Sequence, residues 1–187
     1  MADARGAIAE HLALAARAEE LLPAVAGVVR TLVECFERGG RVYTFGNGGS
    51  AADSLHLAEE LVARFRRERR PLPAQSLAAD PTALTCIGND YEFAEVFARQ
   101  LRAFARPGDV AVAFSTSGRS ENVVRGLVAA RDAGATTVLF GGGEGGPAAA
   151  HADVALLVPS ADTARVQEVH VLLLHLVLEE VDAWAAP

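Results

Sequence analysis

Cysteine is scarce in this sequence: Cys35 and Cys86 are the only two in 187 residues, which excludes a disulfide framework and a cysteine-rich metal knot. A reducing, cytoplasmic setting is the expectation. Positive charge is also in short supply, with 17 Lys and Arg against 24 Asp and Glu and a net charge of -7. Such a chain lacks the broad basic surface that a nucleic-acid backbone demands, although a small anion can still bind in a local pocket. Long apolar runs are missing too. The most apolar stretch, Val169 to Val177, is broken by His170 and His175 and falls short of the roughly 20 residues a membrane span requires. The N-terminal apolar stretch is interrupted by Asp3, Arg5, Glu10 and His11, where a secretory signal needs continuity. No membrane partner is expected, and Val169 to Val177 reads as a buried helix.

What is present suits a single α/β domain over residues 1–187. The composition, 51% hydrophobic and 22% charged, supplies a core and a conventional surface. Ile8, Leu12, Leu14, Leu21, Leu22, Val25 and Val29 recur with helical spacing, and Pro23 starts a new helix or kink. Residues 1–38 thus form an N-terminal helical extension with enough apolar face to pair between subunits. Short β-type runs follow at Arg41–Phe45, Ala74–Ala78, Val110–Phe114, Thr137–Phe140 and Val154–Val158, with helical stretches between them. That alternation predicts a doubly wound, five-stranded parallel sheet of flavodoxin-like type.

Two loops at strand ends carry chemistry. Phe45-Gly46-Asn47-Gly48-Gly49-Ser50 runs from the first strand into a helix, its small residues letting a ligand approach the backbone. It lacks the Gly-Lys-Ser/Thr ending of a nucleotide P-loop but fits the relaxed dinucleotide pattern, with Asp80 as a candidate ribose ligand. Ser115, Thr116, Ser117 and Ser120 surround Gly118 just before another helix, offering neutral donors and a favourable dipole to a phosphate. The pair of loops describes a sugar phosphate better than a dinucleotide. Gly141 to Gly146 form a glycine-rich turn after the fourth strand, and Arg64 to Arg70 read as a solvated helix end. His56 and Glu60 lie four apart on one helix, and the last helix carries Gln167, His170 and His175. Together they can hold a divalent metal or, without one, provide an acid and a base.

Phe45 to Glu60, Cys86-Ile87-Gly88-Asn89-Asp90, Ser115 to Asn122 and Arg165 to His170 with His175 resemble, in order and spacing, the sugar isomerase (SIS) fold and its phosphoheptose isomerase family. The resemblance implies a homotetramer that converts sedoheptulose 7-phosphate into D-glycero-D-manno-heptose 7-phosphate through an enediol. It implies substrate contacts from Asn47, Gly48, Gly49, Ser50, Glu60, Asn89, Asp90 and Gln167, with Ser115, Thr116, Ser117 and Ser120 on the phosphate. It further implies Glu60 as base, His175 as acid, and one zinc ion per subunit on His56, Glu60, Gln167 and His175. Ala164 stands where many relatives carry an acidic residue before the arginine. A non-catalytic SIS regulator would share the fold, but retention of both Glu60 and His175 favours an enzyme. Gln167 and His175 are about 12 Å apart along one helix, so a neighbouring subunit is expected to supply one of them.

Overall fold

The computed structural model describes residues 4–187; residues 1–3 of the expected N-terminal segment, including Asp3, lie outside it. Five parallel strands, β1 Val42–Gly46, β2 Ala74–Ser76, β3 Val110–Ser115, β4 Thr136–Gly142 and β5 Val154–Val158, are ordered β2-β1-β3-β4-β5. β1 and β3 pair from Val42↔Val110 to Gly46↔Phe114. Alternation along each strand assigns the two cores. Val42, Val110, Val112, Phe114, Val138 and Phe140 face one side, and Tyr43, Phe45, Ala111, Ala113 and Leu139 face the other.

On the first side lie α1 Ala4–Ala16, α2 Leu22–Glu37, α3 Gly49–Val62 and α8 Thr163–Ala185. On the second lie α4 Pro81–Asp90, α5 Ala98–Phe104, α6 Glu121–Asp132 and the short α7 Gly146–Ala149. Pro23 sits in the first turn of α2, after a 3-10 turn at Arg17–Leu21, where its missing N–H costs nothing. α1 is strapped to α8 by His11 Nδ1 against Glu168 Oε2 at 2.7 Å and by Arg165 Nη1 donating to the Ala7 carbonyl at 2.7 Å. Its outer face leaves Ile8 and Leu12 about 60% exposed.

Two expectations need correction. The arginine run is not a helix end. α3 stops at Val62, well before Pro71 and Pro73, and Arg69 is buried against Asp182 of α8. Nor does Gly141 to Gly146 simply form a turn after the fourth strand. Gly141 and Gly142 belong to β4, and the backbone of Gly145 packs so closely on Gly118 that a Cβ there would lie 1.8 Å from the Gly145 oxygen.

His170 is fully buried between Phe114 and Phe140, donating from Nε2 to the Gly141 carbonyl at 3.1 Å while Nδ1 has no partner among the described residues. Burial, opposed by that hydrogen bond, holds its pKa down to about 4, so the ring is structural and neutral. The unfolded chain binds this proton below about pH 6.5 and the folded chain does not. Stability is therefore complete above that pH and declines toward pH 4, by about 3 kcal/mol for this group. Urea unfolding at pH 7 and pH 4.5 should show the loss in wild type and a shallower one in His170→Asn.

Candidate active site

The strand order reverses direction between β1 and β3, and doubly wound sheets bind ligands beyond the carboxyl ends of their strands at such a switch point. Both sequence loops meet there. Gly48, at φ 56°, is the N-cap of α3, a conformation that favours glycine. Asn47 pairs reciprocally with Asn122 of α6, each side-chain amide donating to the other's oxygen at 2.8 Å. Asn122 is buried, so it fixes the Asn47 amide and leaves that residue one lone pair and one N–H for a ligand. The signal missed in the sequence was a pairing across 75 positions.

The second loop is a tight cradle. Ser115 Oγ accepts from the Gly118 amide at 3.1 Å and Ser117 Oγ from that of Arg119 at 3.2 Å. Ser120 occupies the N-cap position of α6, yet its side chain makes no capping bond, so its hydroxyl is not committed to the helix. Glu121, the acidic residue of the first turn, is ion-paired with Arg125. The chain contains no lysine; hydroxyls, backbone amides and a helix dipole are what this loop can offer an anion. A cavity of about 450 Å³ opens beside it between Asn47, Glu92, Phe93, Ala94, Ser120, Glu121 and Asn122. Asn89 and Asp90, bonded to each other, lie exposed in the last turn of α4, shortly before Glu92 and Phe93. A larger cavity, about 540 Å³, lies at the opposite, amino ends of β1 and β3 among Arg38, Arg41 and Arg106. The C-termini of α2 and α5 end there and account for its arginines without a ligand.

α3 and α8 run side by side from the carboxyl ends of the strands. Gln167 sits against the start of α3, where a Cβ on Gly49 would fall 2.0 Å from its Nε2. Two turns on, the His56 and His175 rings meet edge to face at 5.1 Å, and His56 Nε2 lies 3.6 Å from Glu60 Oε1. Phe65, from the segment after α3, stacks on His175 at 5.5 Å. Burial, then His56, holds the His175 pKa below the ordinary imidazole range, with Glu60 opposing. The ring is therefore neutral at pH 7, the form that ligates metal.

One chain thus sets His56 between Glu60 and the His175 ring but leaves Gln167 about 12 Å from His175 along the helix axis. His56, Glu59 and Glu60 bring ligand atoms within 4.8 Å of one another. A nitrogen with carboxylate oxygens suits a zinc-type ion, so this group can hold a metal. The sequence reading passed over Glu59. It also gave no role to Asp53, buried one turn before His56 with Oδ2 unpartnered among the described residues and its pKa pushed up to about 6 by burial. Asp162, the carboxylate nearest Ala164 in sequence, is spent on capping α8, accepting from the amides of Ala164 and Arg165.

Residues 8–142 match the SIS domain family model. The chain is 51% identical over 158 residues to phosphoheptose isomerase of Aquifex aeolicus, covering 84% of this chain and 81% of that one. It is 49% identical over 164 residues to the phosphoheptose isomerase of a Roseiflexus species, covering 88% and 83%. The solved structure of phosphoheptose isomerase from Neisseria gonorrhoeae superimposes with a TM-score of 0.86 at 38% identity, covering 96% of this chain and 98% of that one. With its parallel sheet, anion cradle and carboxylate–imidazole group, the chain belongs to the SIS domain family and, within it, to the phosphoheptose isomerases, enzymes that isomerise sugar phosphates.

Proposed function

We propose that this enzyme converts sedoheptulose 7-phosphate into D-glycero-D-manno-heptose 7-phosphate in a site built by two subunits of a cytoplasmic homotetramer. The observation that carries the reading is the separation of the two halves of the site within one chain. The anion cradle and Gln167 lie at the start of α3, whereas Glu60 is eleven residues farther on, about 16 Å along the axis. A seven-carbon sugar phosphate is too short to lie in the cradle and reach that carboxylate comfortably. A second copy can bring its Glu60 and His175 to the first copy's loops. Exposed Ile8, Leu12, Leu55 and Val62, on α1 and α3, give such a copy an apolar surface to cover. Two unpaired cysteines accord with the cytoplasm, and among the described residues no helix is long and apolar enough to cross a membrane.

In this arrangement Ser115, Thr116, Ser117 and Ser120 hold the phosphate, and Asn47, Gly48, Gly49, Ser50, Asn89, Asp90 and Gln167 hold the sugar. Glu60 takes the proton beside the carbonyl and returns it to the neighbouring carbon. His175, as a neutral imidazole, gives its ring proton to the carbonyl oxygen as the enediol forms and takes the proton of the neighbouring hydroxyl as the aldehyde forms. His56, Glu60 and His175, with Gln167 of a neighbour, would hold zinc, which when bound polarises the substrate's oxygens.

Incubation with sedoheptulose 7-phosphate, with and without zinc, should yield the aldoheptose phosphate by direct product analysis. No aldose under either condition would reject the proposal. Ser117→Ala and Ser120→Ala should each weaken binding of the phosphorylated sugar about tenfold while barely changing that of the unphosphorylated one. Calorimetry with both ligands is the check, and equal losses would move the phosphate elsewhere. Asn122→Ala, which frees the Asn47 amide, should raise KM about tenfold with kcat little changed in steady-state kinetics.

A further inference from the structure

The buried pair Arg69 and Asp182 has side chains only 1% and 2% exposed, and its bonds converge on the turn that carries Glu60. Arg69 Nε donates to Asp182 Oδ1 at 3.0 Å, Nη2 to the Glu60 carbonyl at 2.6 Å, and Nη1 to the carbonyls of Leu61 and Arg70 at 2.9 and 2.8 Å. Asp182 Oδ2 accepts the main-chain amides of Arg66 and Arg67 at 3.2 and 2.7 Å. The guanidinium therefore takes up carbonyls in the last turn of α3, which helix geometry leaves without intrahelical partners. The same pair folds the following segment onto α8, where Phe65 stacks on His175.

We infer that Arg69 is a positioning residue for isomerisation. Resting on the roles proposed for Glu60 and His175, it holds the backbone of the base in register with the helix of the acid. Stability alone does not call for this geometry, since replacing a buried ion pair by apolar residues is often neutral or stabilising. The planar fork reaching three carbonyls at once is what lysine cannot supply.

The test compares wild type with Arg69→Lys and Asp182→Asn, all checked for native circular dichroism and assayed with sedoheptulose 7-phosphate. Arg69→Lys keeps the charge opposite Asp182 but loses the fork. A folded Arg69→Lys enzyme with kcat down about 10- to 100-fold and KM within about twofold supports the inference, because small misplacements of a reacting group cost that much. Asp182→Asn should move kcat in the same direction. Wild-type kcat in Arg69→Lys, a change confined to KM, or failure of Arg69→Lys to fold would each overturn it, the last because the role would then be purely structural. A wild type inert toward sedoheptulose 7-phosphate would remove the functional reading and this inference with it. An active wild type matched by Arg69→Lys would remove this inference alone.

Discussion

Glu60→Gln should lower isomerisation about 10²- to 10⁴-fold, the usual contribution of a positioned general base, while leaving the fold and the binding of sugar phosphate intact. The amide keeps the shape of the carboxylate but has no basicity. Glu60 is half-buried on the same face of α3 as His56, one turn away, and no bond made by its side chain holds the core together. Its main-chain carbonyl, the group that Arg69 grips, is unchanged by the substitution. In the proposed site the phosphate is held by the neighbouring chain's hydroxyl loop and not by Glu60, so calorimetry with the phosphorylated sugar should give a wild-type affinity. Wild-type turnover in Glu60→Gln would rule it out as the base.

A larger recovery is expected from mixing two crippled chains. Glu60→Gln and Gln167→Ala should each be nearly inactive alone, yet co-assembled oligomers should regain about a quarter of wild-type activity if chains pair at random. In the proposed arrangement each site takes its His56–Glu60–His175 group from one chain and its Gln167 with the cradle from the other. One in four pairings then unites an intact group with an intact Gln167. Mixing Glu60→Gln with His175→Ala should restore nothing, because His56 of the same chain lies against both side chains. Spacing along the last helix showed that Gln167 and His175 could not serve one ion from one copy. It left open which of them crosses over; the packing of His175 on His56 is the reason the proposed site keeps His175 with Glu60. Activity restored by the second mixture and not the first would reverse the assignment.

Elements made by local pattern were legible in the sequence, whereas contacts made across it were not. The five strands stand out as short apolar runs because a parallel sheet covered on both faces gives continuous hydrophobic segments. Observed and expected ends agree within two residues at each strand. The two loops showed themselves through glycines and hydroxyls concentrated between a strand and a helix. Arg69 was misread because its neighbours Arg64, Arg66, Arg67 and Arg70 are exposed and its partner lies 113 positions away. A charge run usually marks a solvated face, and nothing local distinguishes the one member that is buried. Phe65 and the glycines at 141–146 escaped for the same reason, since the first matters through its stacking on α8 and the second through backbone packing on Gly118.

Proton transfer through an enediol is the central chemical claim, and solvent isotope labelling tests it most directly. Sedoheptulose 7-phosphate should be turned over in heavy water, with both sugars recovered and the carbons flanking the carbonyl analysed for deuterium. Label in the aldose product is expected for the wild type, because the proton carried by Glu60 can exchange with solvent before it is returned, and none is expected for Glu60→Gln. Efficient wild-type turnover with no solvent deuterium in either sugar would contradict the account and point to direct hydride transfer between the two carbons.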